Sequence, residues 1–291
     1  MKIKHQVFCA DCLDWMKVRF DDSVDLVVTS PPYEDARAYA ELGFSLTGQD
    51  WVDWIVKVIH ETLRICSGLV VFVVEGRTHN FRWSATPALL MADLHRAGVC
   101  LRKPPIFHRV GVPGSGGPDW LRNDYEFIVC CTSESGKLKW SDNCAMGHPP
   151  KYLPGGKMSH RMPNGRRVDK IKKQKVKNGI EVQGYNTPER ANPGNVIHCN
   201  VGGGRMGSKL AHENEAPFPE SLVEFFVRSF CPVGGVVYDP FCGSGTTAAV
   251  CERWDRLFVG TDVRRSQVDL TKKRIAESVL QSSSTLGVHL L

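Results

Sequence analysis

Two apolar runs near opposite ends of the chain each lead into a short motif that stops a strand. Near the N-terminus, Val24–Val28 runs directly into Thr29-Ser30-Pro31-Pro32-Tyr33. Near the C-terminus, Gly235–Tyr238 runs directly into Asp239-Pro240-Phe241-Cys242-Gly243-Ser244-Gly245-Thr246-Thr247. Proline lacks the amide hydrogen that a strand ladder needs, and glycine permits tight turns. Each motif is therefore predicted to lie at a strand end, where α/β proteins bind their ligands.

Apolar runs of strand length alternate with segments of helical period along most of the chain. Asp50 is expected to cap a helix that ends at Gly68, with Ile55, Ile59 and Leu63 on its buried face. Strands that alternate with crossover helices predict an α/β fold with a doubly wound, mostly parallel sheet. The predicted strands are 7–10, 24–29, 69–74, 125–131, 236–239 and 257–261, and the predicted helices are 12–18, 50–66, 85–97, 219–230, 245–254 and 264–279.

The second motif has the composition of a ligand-binding turn between a strand and a helix. Gly243 and Gly245 let the backbone approach a ligand, and the start of a helix favours negative charge. Asp262 ends the next predicted strand, where a carboxylate can accept from both ribose hydroxyls, and Asp11 ends the first. The spacing from Gly243 to Asp262 also fits a dinucleotide fold, so this loop alone is compatible with NAD, with S-adenosylmethionine (SAM) or with no ligand. The short stretch after Asp262 favours SAM over NAD.

Together, the two motifs resemble those of the DNA methyltransferases that methylate amino groups. Their order, with the catalytic motif first and the cofactor motif last, is similar to the beta group of that family. The resemblance implies a Rossmann-like fold with permuted motif order, and SAM as the cofactor. It assigns SAM binding to Asp11, Thr29, Phe218, Asp239, Phe241, Cys242, Gly243, Ser244, Gly245, Thr246, Thr247 and Asp262.

The first motif suits methyl transfer to an exocyclic amino nitrogen. Such a nitrogen is a weak nucleophile because its lone pair is delocalised into the ring, so its hydrogens must be held by acceptors. Ser30 Oγ and the carbonyl of Pro31 are the expected acceptors, and Pro32 stiffens the loop. Tyr33 is expected to stack on a base that has left the duplex. Taken alone, the motif also fits a plain strand end.

Ser30 at the first position of the tetrapeptide resembles the cytosine-N4 enzymes of the family, whereas the adenine-N6 enzymes more often have Asp there. The resemblance therefore implies a site-specific cytosine-N4 DNA methyltransferase that flips its target base, with adenine N6 as the alternative. Methylation at C5 of cytosine is disfavoured because none of the 17 prolines precedes a cysteine. A DNA-binding module without activity is a more remote alternative, and the intact motifs argue against it.

A basic segment without sustained periodicity separates the two motifs. Residues 1–132 are predicted to form the catalytic half of a methyltransferase domain, 133–194 an inserted target-recognition region, and 195–291 the SAM-binding half. From Lys151 to Lys177 the chain carries ten Lys or Arg against one acid, a net charge of +9. Such a block favours double-stranded DNA as the partner, although a solvated loop is the alternative. The expected DNA contacts are Arg166, Arg167, Lys170, Lys172, Lys173 and Lys175.

Composition indicates the cellular compartment and argues against membrane, disulfide-bonded and metal-binding classes of protein. The apolar runs are too short to span a membrane and no signal-peptide pattern stands at the N-terminus, so we expect a cytoplasmic protein with no membrane partner. Eleven cysteines in such a protein indicate reduced thiols. Cys144 and His148 lack the Cys-x-x-Cys pair that would complete a zinc site, so no metal is expected. The resemblance allows a cognate restriction endonuclease as a partner, and monomer and homodimer both stay open.

Overall fold

The computed structural model describes residues 4–34, 45–112, 116–150, 159–169, 175–177, 180–182, 189–201, 207–213 and 218–287. The helices there are α1 (Cys12–Lys17), α2 (Gly48–Ile65), α3 (Thr86–Arg96), α4 (Glu220–Phe230), α5 (Thr246–Arg253) and α6 (Arg265–Gly287). The strands are β1 (His5–Cys9), β2 (Val24–Thr29), β3 (Cys66–Val74), β4 (Thr78–His79), β5 (Arg82–Trp83), β6 (Cys100–Leu101), β7 (Ile106–Val110), β8 (Tyr125–Thr132), β9 (Ser159–Arg161), β10 (Arg167–Asp169), β11 (Lys175–Lys177), β12 (Ile180–Val182), β13 (Val196–Asn200), β14 (Val236–Asp239) and β15 (Leu257–Asp262).

Nine of the described strands form one sheet, in the order β1-β15-β14-β2-β3-β8-β7-β13, with β6 beside β8. Strand β8 runs antiparallel to β3, β6 and β7, and the other neighbouring strands are parallel. The predicted mostly parallel α/β sheet is thereby confirmed. β2 and β14 are neighbours near its centre, so the two halves of the chain that carry the motifs share one sheet.

The sheet is covered on both faces because side chains along its central strands alternate between two apolar clusters. Val27, Val70 and Phe72 pack with α1, α2 and α3 on one face. Leu26 and Val71 pack with α4 and α5 on the other. Two buried faces explain why the central strands are apolar throughout, and they confirm the doubly wound arrangement.

Helix α2 and strand β3 depart from the predicted boundaries. The helix begins at Gly48, so Asp50 lies in its first turn and is not its cap. The chain passes from helix to strand at Cys66, so Gly68 lies within β3 and does not end the helix. A β-carbon on Gly68 would lie 2.1 Å from the carbonyl oxygen of Asp25, at a register shift between β2 and β3. This glycine therefore serves a close approach of two strands.

Strands β7 and β13 were not predicted. Both are short, lie at one end of the sheet and carry His and Arg side chains such as His108, Arg109 and His198. Only Phe107, Ile197 and Cys199 are buried among them. The apolar alternation in such short edge segments is too weak to separate a strand from a loop.

Contacts divide the chain into a larger unit, Met1–Asp142 with Gly194–Leu291, and a smaller unit, Asn143–Pro193. In the smaller unit, β9 pairs with β10 and β11 with β12, each pair antiparallel. His148 and Ala191 form an isolated bridge there, and Arg190 donates to the carbonyl of Gly147. The predicted region 133–194 spans this unit, and the predicted three-part division stays a prediction.

Within the described residues, no helix has the length and hydropathy that a membrane crossing requires. The eleven cysteines, which all lie in that part of the chain, are free thiols. Burial raises the pKa of Cys66 and of Cys131 to about 12. These buried thiols therefore stay protonated and unreactive at neutral pH.

Candidate active site

The two sequence motifs meet at the carboxyl edge of the sheet. Strands β2 and β14 are parallel, with Val27 beside Tyr238, so both end at that edge. Thr29 Oγ1 donates a hydrogen bond to Asp239 Oδ1 across 2.6 Å, and both side chains are buried. Two motifs far apart in the sequence therefore form one site.

Asp239 connects the two loops through both of its carboxylate oxygens. Oδ1 also accepts from the amide of Phe241 across 3.1 Å, and Oδ2 accepts from Thr247 Oγ1 across 2.6 Å. Burial raises the pKa of Asp239 to about 6, although the hydrogen bonds from Thr247 and Thr29 act against that shift. The side chain fixes the start of the second loop against the end of β2.

Gly243 and Gly245 adopt backbone conformations that other residues resist. Their φ angles are +48° and +79°, in the left-handed region. A β-carbon on Gly245 would lie 2.9 Å from Thr271 Cα. Thr271 Oγ1 donates to the carbonyl of Gly243 across 2.7 Å. The loop is packed directly against α6, and these two positions exclude larger residues.

Asp262 closes the same loop from the end of β15. It is 2% exposed, and its Oδ2 accepts from the amide of Gly243 across 3.2 Å. Its Oδ1 accepts from the amide of Arg264 across 2.9 Å and from Nε of the same residue across 3.3 Å. A carboxylate offers about four acceptor sites, so these bonds leave capacity for a ligand hydroxyl.

The other predicted SAM-binding residues lie around this turn. Asp11 Oδ1 caps α1 by accepting from the amides of Leu13 and Asp14, at 2.8 and 3.1 Å. This capping role is sufficient to explain an aspartate there. Phe241 packs against Trp54, with ring centroids 5.5 Å apart. Phe218 is half-buried just before α4, and Cys242, Ser244, Thr246 and Thr247 are buried.

The sequence did not predict an ion-pair network that contacts the second motif, residues 239–247, which we call the cofactor loop; residues 29–33 are called the catalytic loop. Arg274 is 1% exposed, and its guanidinium donates to Glu220 Oε1 across 2.7 Å and to Thr246 Oγ1 across 2.9 Å. Arg253 donates to Glu220 Oε2 across 2.6 Å. The network joins α4, α5 and α6. Its three charged residues lie on three separate helices, and nothing local in the sequence indicates that they meet.

Ser30, directly after β2, begins a series of polar contacts that reaches β8 and then β7. Ser30 Oγ donates to Tyr33 Oη across 3.2 Å, and Tyr33 Oη donates to Glu126 Oε2 across 2.8 Å. Arg109 Nη1 lies 3.2 Å from Glu126 Oε1. Because Ser30 gives its one hydroxyl hydrogen to Tyr33, its oxygen keeps its lone pairs for a donor. This is the state that the predicted acceptor role requires.

Burial and two nearby carboxylates determine whether Tyr33, in the middle of these hydrogen bonds, is protonated. Burial raises the pKa of Glu126, against the opposing effects of the Tyr33 hydrogen bond and of Arg109. Burial also raises the pKa of Glu75, at the end of β3. Burial first, and then the charges of Glu126 and Glu75, keep the pKa of Tyr33 well above its usual value. Tyr33 therefore holds its proton at neutral pH and remains a donor to Glu126.

Trp51 and Glu34 hold the catalytic loop from another side, and neither was predicted. Trp51 Nε1 donates to the carbonyl of Pro32 across 2.9 Å. Glu34 Oε1 accepts from the amide of Gly48 across 2.8 Å, and its Oε2 accepts from Ser84 and Thr86 hydroxyls. Burial would raise the pKa of Glu34, but these hydrogen bonds together lower it, so it is ionised. Its place directly after the tetrapeptide was the one sequence signal for it.

The predicted DNA-binding residues belong to the smaller unit. Arg166 and Arg167 have exposed side chains at the hairpin of β9 and β10, where the amide of Met162 donates to the carbonyl of Arg166 across 2.9 Å. Lys175 lies in β11, beside Val182 of β12. The other predicted contacts, Lys170, Lys172 and Lys173, lie outside the described residues.

The arrangement suits group transfer to a nucleophile that the substrate supplies. Hydrogen-bond acceptors are fixed on one loop, and a glycine turn that can approach a ligand lies on the neighbouring strand. Cys242 lies within the glycine-containing loop, and burial first, then the charges of Asp239 and Asp262, raise its pKa well above the usual value. A protonated, buried thiol is a poor nucleophile, so a covalent cysteine intermediate is disfavoured.

Known proteins share both the sequence pattern and the fold. The DNA methylase family profile for N6 and N4 methyltransferases matches residues 24–273, which include both motifs. The orphan methyltransferase M.BamHII of Bacillus amyloliquefaciens is 26% identical over 264 residues, which cover 89% of this chain and 91% of that protein.

Solved structures with the same fold include the cytosine-N4-specific PvuII DNA methyltransferase, at a TM-score of 0.66 and 16% identity, covering 93% of this chain and 86% of that one. A DNA modification methylase of Thermus thermophilus, TTHA0409, complexed with S-adenosyl-L-methionine, has a TM-score of 0.59 and 22% identity, covering 94% and 96%. These likenesses show the fold. The family profile spans most of the sequence, and the chain therefore belongs to the N6/N4 family of DNA methylases.

Proposed function

We propose that this DNA methylase transfers a methyl group from SAM to the exocyclic N4 of a cytosine at a specific duplex sequence. The hydrogen bond from Thr29 to Asp239 carries the proposal, because it joins the loop that presents acceptors to the loop that suits a nucleoside cofactor. A methyl donor on one loop and a base on the other would then be neighbours.

The second loop fits SAM in its backbone and its charge. Gly243 and Gly245 carry no side chain that would stand between the backbone and a ligand, and Asp262 keeps acceptor capacity for a ribose hydroxyl. Phe241 offers an apolar ring beside the turn, and the buried hydroxyls of Thr29 and Thr247 fix Asp239. When bound, SAM supplies a methyl group on a sulfonium, so the protein needs no nucleophile of its own.

On the catalytic loop, Ser30 Oγ and the carbonyl of Pro31 accept the two amino hydrogens of the flipped base. Holding both hydrogens turns the nitrogen lone pair out of conjugation and toward the methyl group. Tyr33 offers its ring to the base, and its bond to Glu126 fixes the ring orientation. Trp51 holds Pro32, so the loop keeps its shape before the base arrives. Catalysis is then mainly positioning.

Cytosine is the favoured base because Ser30 occupies the first position of the tetrapeptide. The PvuII enzyme, which is cytosine-N4-specific, shares the fold. Adenine N6 is the second candidate, since some adenine enzymes of the family also carry Ser at this position. The test is to methylate plasmid DNA with the purified protein, digest it to nucleosides and identify the product by mass spectrometry. N4-methylcytosine is expected; N6-methyladenine alone would reverse the base assignment, and 5-methylcytosine would overturn the reaction class.

The duplex itself is assigned to the basic segment. Arg166, Arg167, Lys170, Lys172, Lys173 and Lys175 are proposed as its contacts. Lys and Arg position a duplex through its phosphates without reading its sequence, so these residues would contribute affinity and leave specificity to others.

A further inference from the structure

A two-residue hairpin presents an exposed phenylalanine at the edge of the sheet where the catalytic loop lies. In the hairpin of β4 and β5, His79 pairs with Arg82, so Asn80 and Phe81 form the turn. Phe81 is 79% exposed. The hairpin follows the carboxyl end of β3, and β3 runs parallel to β2, so the hairpin and Ser30 share one edge.

The turn holds Phe81 in an unfavourable conformation. Asn80 and Phe81 have φ angles of +48° and +59°, the signs that a type I′ turn needs at both central positions. Asparagine tolerates the left-handed region and glycine prefers it, but a bulky side chain there costs stability. Phe81 has a strained backbone and a ring exposed to water, so it adds no stability to the folded protein. Folding alone therefore does not explain a phenylalanine at this position.

The base of the hairpin is fixed to the catalytic loop. Glu34, which directly follows the catalytic tetrapeptide, accepts from the amide of Arg77 across 3.2 Å and from Ser84 Oγ. The amide of Ser84 donates to the carbonyl of Arg77 across 2.9 Å and closes the hairpin. Trp83 stacks on Phe127, with ring centroids 6.0 Å apart. A strained tip on an anchored base keeps Phe81 at a set position relative to Ser30.

The charge at the tip of the hairpin fits a phosphate backbone. Residues 77–83 carry Arg77, His79 and Arg82 and no acid, and the carboxylates of Glu34 and Glu75 lie at the base of the hairpin, where they accept from Arg77 and Trp83. A base that leaves a duplex leaves a gap in the stack, and proteins that distort DNA insert apolar side chains at such gaps. An exposed ring flanked by arginines, beside the loop that receives the base, has the chemistry for both contacts.

We propose that Phe81 inserts into the duplex beside the target base and occupies the space that the base vacates. Arg82, the next residue, then lies near an adjacent phosphate. The inference rests on the proposed function, and it adds a positioning residue that helps to open the base pair and does not touch the reacting atoms.

The test compares Phe81→Ala with Phe20→Ala on two substrates. Phe20 is 88% exposed and precedes β2, so it lies at the opposite edge of the same sheet and serves as the matched control. The substrates are duplexes that contain the sequence methylated by the wild-type protein, one fully paired and one with the target base mispaired. Phe81→Ala should slow methyl transfer to the paired duplex roughly tenfold or more, and to the mispaired duplex less than about threefold. Phe81→Trp and Phe20→Ala should behave like the wild type.

Phe81→Gly separates function from folding. It places glycine in the left-handed turn, so the melting temperature should rise by about 1–3 °C while transfer to the paired duplex falls as it does for Phe81→Ala. A clear fall in melting temperature would mean that Phe81 is a structural residue, and the inference would be wrong.

Two further outcomes would also overturn the inference: wild-type rates for Phe81→Ala on the paired duplex, or equal losses on both duplexes. In either case the wild-type protein still methylates DNA, so the proposed function survives. If the wild-type protein transfers no methyl group to any DNA, the proposed function is wrong and the inference falls with it. Calorimetry of SAM with Phe81→Ala should match the wild type, which shows that the cofactor loop is intact.

Discussion

The cofactor loop and the catalytic loop end neighbouring strands, yet different parts of the protein hold them in place. The cofactor loop turns on its own glycines, since Gly243 and Gly245 have left-handed φ angles, and it is fixed by Asp262 of β15 and Thr271 of α6. The catalytic loop takes its shape from side chains of other elements, among them Trp51 of α2 and Glu126 of β8.

Substitutions at the two loops should therefore affect different properties of the enzyme. The glycine turn is the expected place of the cofactor, so a change in it or in Asp262, which binds it, should alter ligand affinity. A loop held by remote side chains depends on the geometry they impose, so a change there should alter turnover while SAM affinity is kept.

The largest effect is expected for Ser30→Ala. It removes an acceptor that matters most in the transition state, so turnover should fall roughly 100- to 1000-fold while SAM affinity stays within about twofold. Single-turnover methyl transfer and calorimetry measure the two quantities. Ser67→Ala is the control, because Ser67 is also half-buried and binds a strand carbonyl, that of Val24, near the other end of β3. A comparable loss of SAM affinity in Ser30→Ala would remove the distinction between the loops.

Asp262→Ala should show the opposite pattern. It removes a buried carboxylate that binds the cofactor loop from the end of β15, so the Kd for SAM should rise roughly 100-fold, while turnover at saturating SAM changes little. Asp262→Asn keeps one acceptor oxygen and should fall between the wild type and the alanine variant. Unchanged SAM affinity in Asp262→Ala would exclude this residue as a ligand.

The sequence predicted those strands and helices whose apolar pattern is continuous over many residues. The run Leu69–Val74, buried throughout, predicted a central strand, and the burial of Ile55 and Ile59 on α2 followed from helical period. The sequence did not predict the reversed direction of β8 or the short strands β7 and β13, because pairing direction and position in the sheet depend on partners elsewhere in the chain. Gly68 was misplaced because a glycine that permits close approach of two strands looks the same in sequence as one that ends a helix.

The candidate site divides in the same way. The glycine turn and the tetrapeptide are each a continuous stretch of sequence. They meet at one edge of the sheet because the strands before them are parallel. The residues that support them are not contiguous: Glu126 reaches Tyr33 from 93 positions away, and Arg274 reaches Glu220 from 54. No local period or spacing encodes such pairs, so they emerge only once the sheet and its helices are assembled.

Asp239 forms hydrogen bonds with both loops, and the pH dependence of stability tests whether its side chain is buried between them. Its folded-state pKa of about 6 lies above the ordinary aspartate value of about 4, so the folded state binds this proton more strongly. Its contribution to the free energy of unfolding is therefore largest below about pH 4 and falls, by roughly 2 kcal/mol, as the pH rises to about 6. Urea unfolding of the wild type and of Asp239→Asn across this range should show their stability difference changing by that amount. A difference independent of pH would contradict a buried, protonatable Asp239.

The smallest effect is expected in the smaller unit, for the basic hairpin of β9 and β10. Arg166→Gln with Arg167→Gln removes two exposed charges proposed to contact phosphate, so the slope of log K for DNA against log salt should become shallower by roughly 2. Affinity for all duplexes should fall alike, because phosphate contacts carry no sequence information. Lys272→Gln with Lys273→Gln makes the same charge change on the exposed side of α6 and is the matched control. The methylated sequence and the SAM affinity should be unchanged in both double variants. An unchanged salt slope in the arginine variant would leave the hairpin as a solvated surface, and an equal change in the lysine variant would assign the effect to net charge instead of position.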